Sequence, residues 1–152
     1  MCSYWLSAIF GGKSGILDNL SGSVISQEEL LQTLPEGVRL PVQPLDNEYY
    51  YLTLADWQKV FAEVFTRMPS YIRDRRDCDD FAWIFRGFVL LLSGMNAFGW
   101  VIGDIPAGRH SFNMFLAEDG WHILEPNPQY AYGNYNILNV GGKGYIPEVL
   151  II

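Results

Sequence analysis

The clearest pattern in the chain is one apolar stripe between Thr53 and Met68. Leu54, Trp57, Val60, Phe61, Val64, Phe65 and Met68 recur at spacings of three and one, which puts them on one face of an amphipathic helix. Thr53 with Asp56 can cap its start, and Pro69 lies just past its end. A second helix is predicted from Asp77, with Asp77 and Asp80 as its cap and Cys78 in its first turn. Phe81, Ala82, Ile84, Phe85, Phe88, Val89, Leu91 and Leu92 make it apolar nearly all round, so it should be central and covered on most sides. Ser26-Gln27-Glu28-Glu29 reads as a capping box opening a short helix through Leu34, stopped by Pro35. Pro41 and Pro44 leave the stretch from Val38 to Tyr51 extended or looping, with at most an edge strand.

After Ser93-Gly94 the pattern changes to a period of two. Gly99 to Gly103 reads as a strand, and His110 to Ala117 and Trp121 to Glu125 read as two more around an Glu118-Asp119-Gly120 turn. Pro126 to Gly144, rich in Tyr, Asn and Gly, is expected to be coil, and Tyr145 to Ile152 a last strand. Helices first and an antiparallel sheet afterwards predict an α+β fold, with a central helix packed on the sheet. Residues 1–25 form an N-terminal arm in this reading, and 26–152 a single domain.

Composition narrows the partners. The 152 residues are 49% hydrophobic and 18% charged, which excludes a disordered chain. Ten Lys and Arg against 17 Asp and Glu give a net charge of −7, so neither nucleic acid nor an anionic membrane is an expected partner. Two cysteines, Cys2 and Cys78, are too few for a disulfide scaffold. The apolar start lacks the basic flank of a signal peptide, and the longest apolar helix is too short to span a bilayer. A cytoplasmic location is the expectation. Oligomeric state is not legible.

The candidate chemistry lies in Cys78, His110 and Glu125. Each alone has an ordinary explanation: a core cysteine, a half-buried histidine, a strand-end carboxylate. Together they say more. Cys78 sits in the polar run Arg73-Asp74-Arg75-Arg76-Asp77-Cys78-Asp79-Asp80, at the positive end of a helix dipole that stabilises a thiolate. Strand parity puts His110 on the face of Phe112, Met114 and Leu116, and Glu125 on the face of Trp121 and Ile123. With the turn near Asp119, His110 falls opposite residue 127 and Glu125 becomes its diagonal neighbour, able to orient the ring. His122 falls on the other face with Leu124. A thiol, an imidazole and an orienting carboxylate form a nucleophile, base and orienter set. Asp74, Asp77, Asp79 and Asp80 crowd the thiol, and a divalent cation would offset their charge.

Asp77-Cys78-Asp79-Asp80-Phe81-Ala82, His110-Ser111-Phe112-Asn113 and Leu124-Glu125-Pro126-Asn127 resemble the family of the Marasmius mushroom agglutinin C-terminal domain and its bacterial and phage relatives. The resemblance runs from about Leu40 to Gln129 and includes Tyr71. It implies a papain-like, transglutaminase-like cysteine peptidase core. In that reading Cys78 is nucleophile, His110 base and Glu125 orienter, acting on a protein or peptide substrate. It also implies activation by calcium; Asp79 and Asp80 are the first candidate ligands among the residues present, with Asp77, Glu48 and Asn113 behind them, and no organic cofactor is expected. The agglutinin's sugar-binding trefoil domain has no counterpart, because the chain lacks a threefold repeat. Sugar binding is therefore not carried over. Transglutamination or peptidoglycan amide cleavage on the same triad is one alternative. A non-catalytic binding or interaction module on a retired protease fold is the other.

Overall fold

The computed structural model describes residues 19–127 and 137–152. Cys2, most of the expected arm, and Tyr130, Tyr132 and Tyr135 lie outside them. The described chain forms strands β1 (Gly22–Ser26), β2 (Glu48–Leu52), β3 (Phe98–Ile105), β4 (Gly108–Ala117), β5 (Gly120–Leu124), β6 (Ile137–Asn139) and β7 (Ile146–Ile151). Its helices are α1 (Gln27–Thr33), α2 (Leu54–Phe65) and α3 (Cys78–Ser93). The fold is α+β, with a five-stranded antiparallel sheet in the order β6-β5-β4-β3-β7 and a separate β1-β2 pair. No described helix is long and apolar enough to cross a membrane.

Local sequence accounts for most element boundaries. The capping box before α1 is present in full: the Ser26 hydroxyl accepts from the Glu29 backbone N–H, and the Glu29 carboxylate accepts from the Ser26 N–H. Thr53 caps α2 by accepting from the Asp56 N–H. Gly94, at φ 72°, ends α3 in the left-handed conformation that glycine tolerates. Three expectations need correction. Asp77 occupies the cap position of α3, yet its side chain makes no capping bond; its carboxyl is engaged by Asp79 instead. Residues 22–25, read as arm, belong to a strand that pairs with β2 in full register from Gly22 opposite Leu52 to Ser26 opposite Glu48. Residues 137–139, read as coil, form β6 against β5.

The sheet carries apolar side chains on both faces, which is why every residue of β4 from His110 onward is buried. One face packs Val101, Phe112, Met114, Leu116 and Ile123 with Leu30, Tyr49 and Tyr145. The other packs Phe98, Phe115 and Leu124 with Trp57, Val60, Phe61 and Val64 of α2 and Phe85 and Val89 of α3. Phe61 meets Phe115 edge-on with ring centroids 4.9 Å apart, and the Trp57 indole donates to Leu116 O at 2.7 Å. Asn113, fully buried, ties α3 to the sheet: its Nδ2 donates to Ala82 O and to Gly99 O, both at 3.0 Å.

The edge strand β7 lies flush against β3 because two β3 positions carry no Cβ. A methyl at Gly103 would collide with Ile146 O, and one at Gly99 with the Leu150 side chain. Gly103→Ala is expected to destabilise the protein by about 1–3 kcal/mol through overpacking. Gly87→Ala, in the interior of α3 with no atom within 4 Å of the added methyl, should stabilise it by about 0.5–1 kcal/mol. Urea melts of the two variants check both signs.

Candidate functional site: a thiol, an imidazole and a buried carboxylate

The loop before α3 presents Cys78. Ile72 and Arg76 bond each other's backbones, Asp74 sits at φ 57° at the tip, and the Arg76 guanidinium donates to Ser70 O at 2.7 Å. Tyr71 packs its ring against Phe81, 5.9 Å between centroids. Cys78 thereby opens α3 as a half-buried free thiol, and its side chain hydrogen-bonds to His110 of β4.

His110 in turn reaches Glu125, with Nε2 2.7 Å from Oε2. The register explains the contact. Asn113 opposes Leu124 and Ala117 opposes Gly120, so residue 112 faces 125 and His110 is its diagonal neighbour on the same face. Glu125 is wholly shielded from solvent, and a buried carboxylate is costly unless donors surround it. It has three: His110, the Tyr145 hydroxyl at 2.8 Å on the same oxygen, and the Asn127 N–H at 2.8 Å on the other. Tyr145 was not among the expected site residues. No spacing rule reaches it, because its partner lies 20 residues away. His122 lies on the opposite face, stacked on Phe115 at 5.4 Å with Nε2 2.7 Å from Asp119 Oδ1.

The electrostatics of His110 follow from these neighbours. Burial pulls its pKa down, but hydrogen bonds to Cys78 and Glu125 and the negative charge of both outweigh it, and the pKa is pushed up from 6.5 to about 9. Both side chains bonded to His110 therefore favour its charged form.

The five expected calcium ligands are Asp77, Asp79, Asp80, Glu48 and Asn113. Asp77 and Asp79 come together with Cys78, their ligand atoms within 4.8 Å of one another. In the bond between them the Asp77 carboxyl donates and the Asp79 carboxylate accepts; that bond, reinforced by burial, raises Asp77 and lowers Asp79. Asp80 is exposed and outside this group. Glu48 is exposed on β2 and accepts from the Tyr50 hydroxyl at 3.2 Å. Asn113 spends its amide N–H groups on backbone carbonyls, although its Oδ1 is buried without a donor among the described residues.

No family model matches the chain, and no curated protein does. Solved structures do match. One is PSL1a in complex with E64: 18% identity, TM-score 0.58, covering 85% of this chain and 51% of that one. Another is the Polyporus squamosus lectin bound to the human-type influenza-binding epitope Neu5Acα2-6Galβ1-4GlcNAc: 17% identity, TM-score 0.58, covering 85% and 49%. This chain thus spans about half the length of each, and at such identity the likeness establishes a shared fold. These neighbours are lectins, which corrects the expectation of a papain-like, transglutaminase-like cysteine protease family. The expected cysteine peptidase activity and hydrolase class are corrected with it. A thiol, an imidazole and a carboxylate in contact are a geometry, and the geometry by itself does not establish turnover.

The raised pKa of His110 makes stability depend on pH. The folded value of about 9 exceeds the unfolded 6.5, so the stabilisation is complete below pH 6.5 and is lost as pH rises through 9. Denaturant midpoints are expected to fall across that window in the native protein. Glu125→Gln, which removes one of the two negative partners, should flatten the slope; an unchanged slope would show that His110 is not the group responsible.

Proposed function

We propose that this chain is a non-catalytic binding module whose ligand is a glycan, in place of the protein or peptide substrate expected from sequence. The observation that carries the reading is the fold shared with Polyporus squamosus lectin over 85% of the chain, one such structure holding a sialylated trisaccharide. The chain's acidic balance, net −7, fits a neutral or locally recognised ligand better than a polyanion. Calorimetry with Neu5Acα2-6Galβ1-4GlcNAc should give saturable binding with Kd below about 1 mM, or about −4 kcal/mol. Casein incubated with the protein should stay intact. Casein cleavage that vanishes in Cys78→Ala would overturn the reading and restore a hydrolase.

A second reading is favoured by one specific observation, the continuous hydrogen-bonded series Cys78, His110, Glu125. We propose these three as an activated-thiol site inside the module: Cys78 the nucleophile toward electrophilic ligands, His110 its proton partner, Glu125 the group that holds the ring. The helix that carries Cys78 against strands that carry His110 supports a papain-like arrangement of the core as the finer description of the α+β fold. Calcium belongs to this reading only at Asp77 and Asp79, with water completing its shell. Iodoacetamide labelling at pH 7 is expected to be at least 10-fold slower in His110→Ala than in the native protein. Labelling at equal rates in both would remove the activated-thiol assignment. A rate that responds to millimolar calcium in the native protein and not in Asp77→Asn/Asp79→Asn would support the metal, and indifference to calcium would discard it.

A further inference from the structure

A turn after β6 delivers Tyr145 to the thiol network. Gly141 and Gly144 take φ values of 77° and 76°, and the Tyr145 N–H closes the turn by donating to Gly142 O at 3.1 Å. A Cβ on Gly144 would stand 2.9 Å from Pro106 Cγ, so the turn can lie this close to the β3–β4 connection because residue 144 carries no side chain. Seated there, Tyr145 is 2% exposed. Its ring meets Phe112 edge-on at 5.2 Å and His110 edge-on at 6.4 Å. Its hydroxyl donates to Glu125 Oε2 at 2.8 Å, and that same oxygen stands 2.7 Å from His110 Nε2. The Asn127 N–H holds the other oxygen at 2.8 Å. An ionised carboxylate only accepts, so both groups on Oε2 are donors and His110 carries a proton on Nε2. Nδ1 is then the ring nitrogen left for the bond to Cys78. The last torsion of a glutamate side chain is broad and holds no single angle by itself. Two donors converging on one oxygen, with a third on the other, fix it.

We infer that Tyr145 is a positioning residue for the thiol site: its hydroxyl, sharing Glu125 Oε2 with His110, fixes the carboxylate that holds the imidazole toward Cys78. The inference rests on the activated-thiol reading and adds to it the group that sets the geometry of the carboxylate. Losing the hydroxyl has two opposed effects. The oxygen, no longer shared, attracts the imidazolium more strongly. The carboxylate, one donor short, turns more freely and the ring turns with it. The first effect adds little at pH 7, because His110, with its pKa at about 9, is already almost fully protonated there. The second decides the outcome, and thiol reactivity falls.

The test is the iodoacetamide labelling rate of Cys78 at pH 7 in the full chain carrying Cys2→Ser, so that one thiol reports. Tyr145→Phe keeps the ring, removes the hydroxyl and is expected to label slower by about 3-fold or more. Adding Tyr145→Phe to Glu125→Gln should change that variant's rate by less than about 1.5-fold, since the carboxylate through which it acts is already gone. Val101→Ala opens the same apolar cluster and removes no hydrogen-bond donor, so its rate should stay at that of the parent. Thermal melts confirm that each variant is folded. In NMR spectra the His110 Nε2 signal should move in Tyr145→Phe and stay in place in Val101→Ala. In the native protein the Tyr145 hydroxyl proton and the His110 Nε2 proton, both on one oxygen, should show a nuclear Overhauser contact; its absence would overturn the inference even where Tyr145→Phe fails to fold. A Tyr145→Phe rate equal to the parent's, or a slowing matched by Val101→Ala, would overturn the positioning role; with His110→Ala still slow, the activated-thiol reading would stand. The same slowing in the presence and absence of Glu125→Gln would overturn the route through the carboxylate. Equal rates in the parent and His110→Ala would remove the activated-thiol reading and this inference with it.

Discussion

A carboxylate with no access to water has to be met by hydrogen-bond donors, and Glu125 is such a carboxylate. Its three donors come from three places in the chain: His110 from β4, Asn127 from just beyond β5, and Tyr145 from the residue before β7. Satisfying one buried charge therefore fixes the relative position of three parts of the sheet. The ring of His110 is held because one nitrogen is committed to that carboxylate, and the ring brings the Cys78 thiol into the same network. Around it, Phe112 and Tyr145 meet edge-on at 5.2 Å, so apolar packing supports the polar contacts.

The sheet acts as a divider. Its two faces bury separate apolar clusters, and the polar side chains that pass between them are few and bonded into place. Asn113 is the clearest case. Its amide nitrogen ties the second turn of α3 to β3. The same helix carries a thiol at its N-terminus and an exposed indole five residues on, so one element links the buried network with the outer surface.

Much of the site was legible because strand geometry is so regular. Once a turn at Glu118-Asp119 is recognised, a period of two places His110 and Glu125 on a common face and His122 on the other. The capping box before α1 was equally plain, because its donors and acceptors lie within four residues of each other. What escaped depended on distant partners. β1 was hidden in a Gly- and Ser-containing stretch whose strand character comes from pairing with β2, and β6 is three residues long with no alternation to read. Asp77 looked like a cap by position, but the nearby Asp79 competes for its carboxyl. Tyr145 stood out only as one of several tyrosines near a polar, glycine-rich stretch, with nothing to point to its bond with Glu125. The other bonds of Glu48 and Asn113, on β2 and β4, were not legible either, since their partners are set by the fold.

The close approach of β7 to the glycines of β3 sets a temporal order on assembly. A polypeptide leaves the ribosome from its N-terminus, so α3, β3, β4 and β5 emerge while β7 is still being made. Until that edge strand arrives, Val101 lacks its cover from Leu150 and Glu125 lacks the phenolic donor beside β7. A nascent chain would hold its cysteine and imidazole near an acid still lacking one of its donors, and the network would mature only when the late strand pairs with β3.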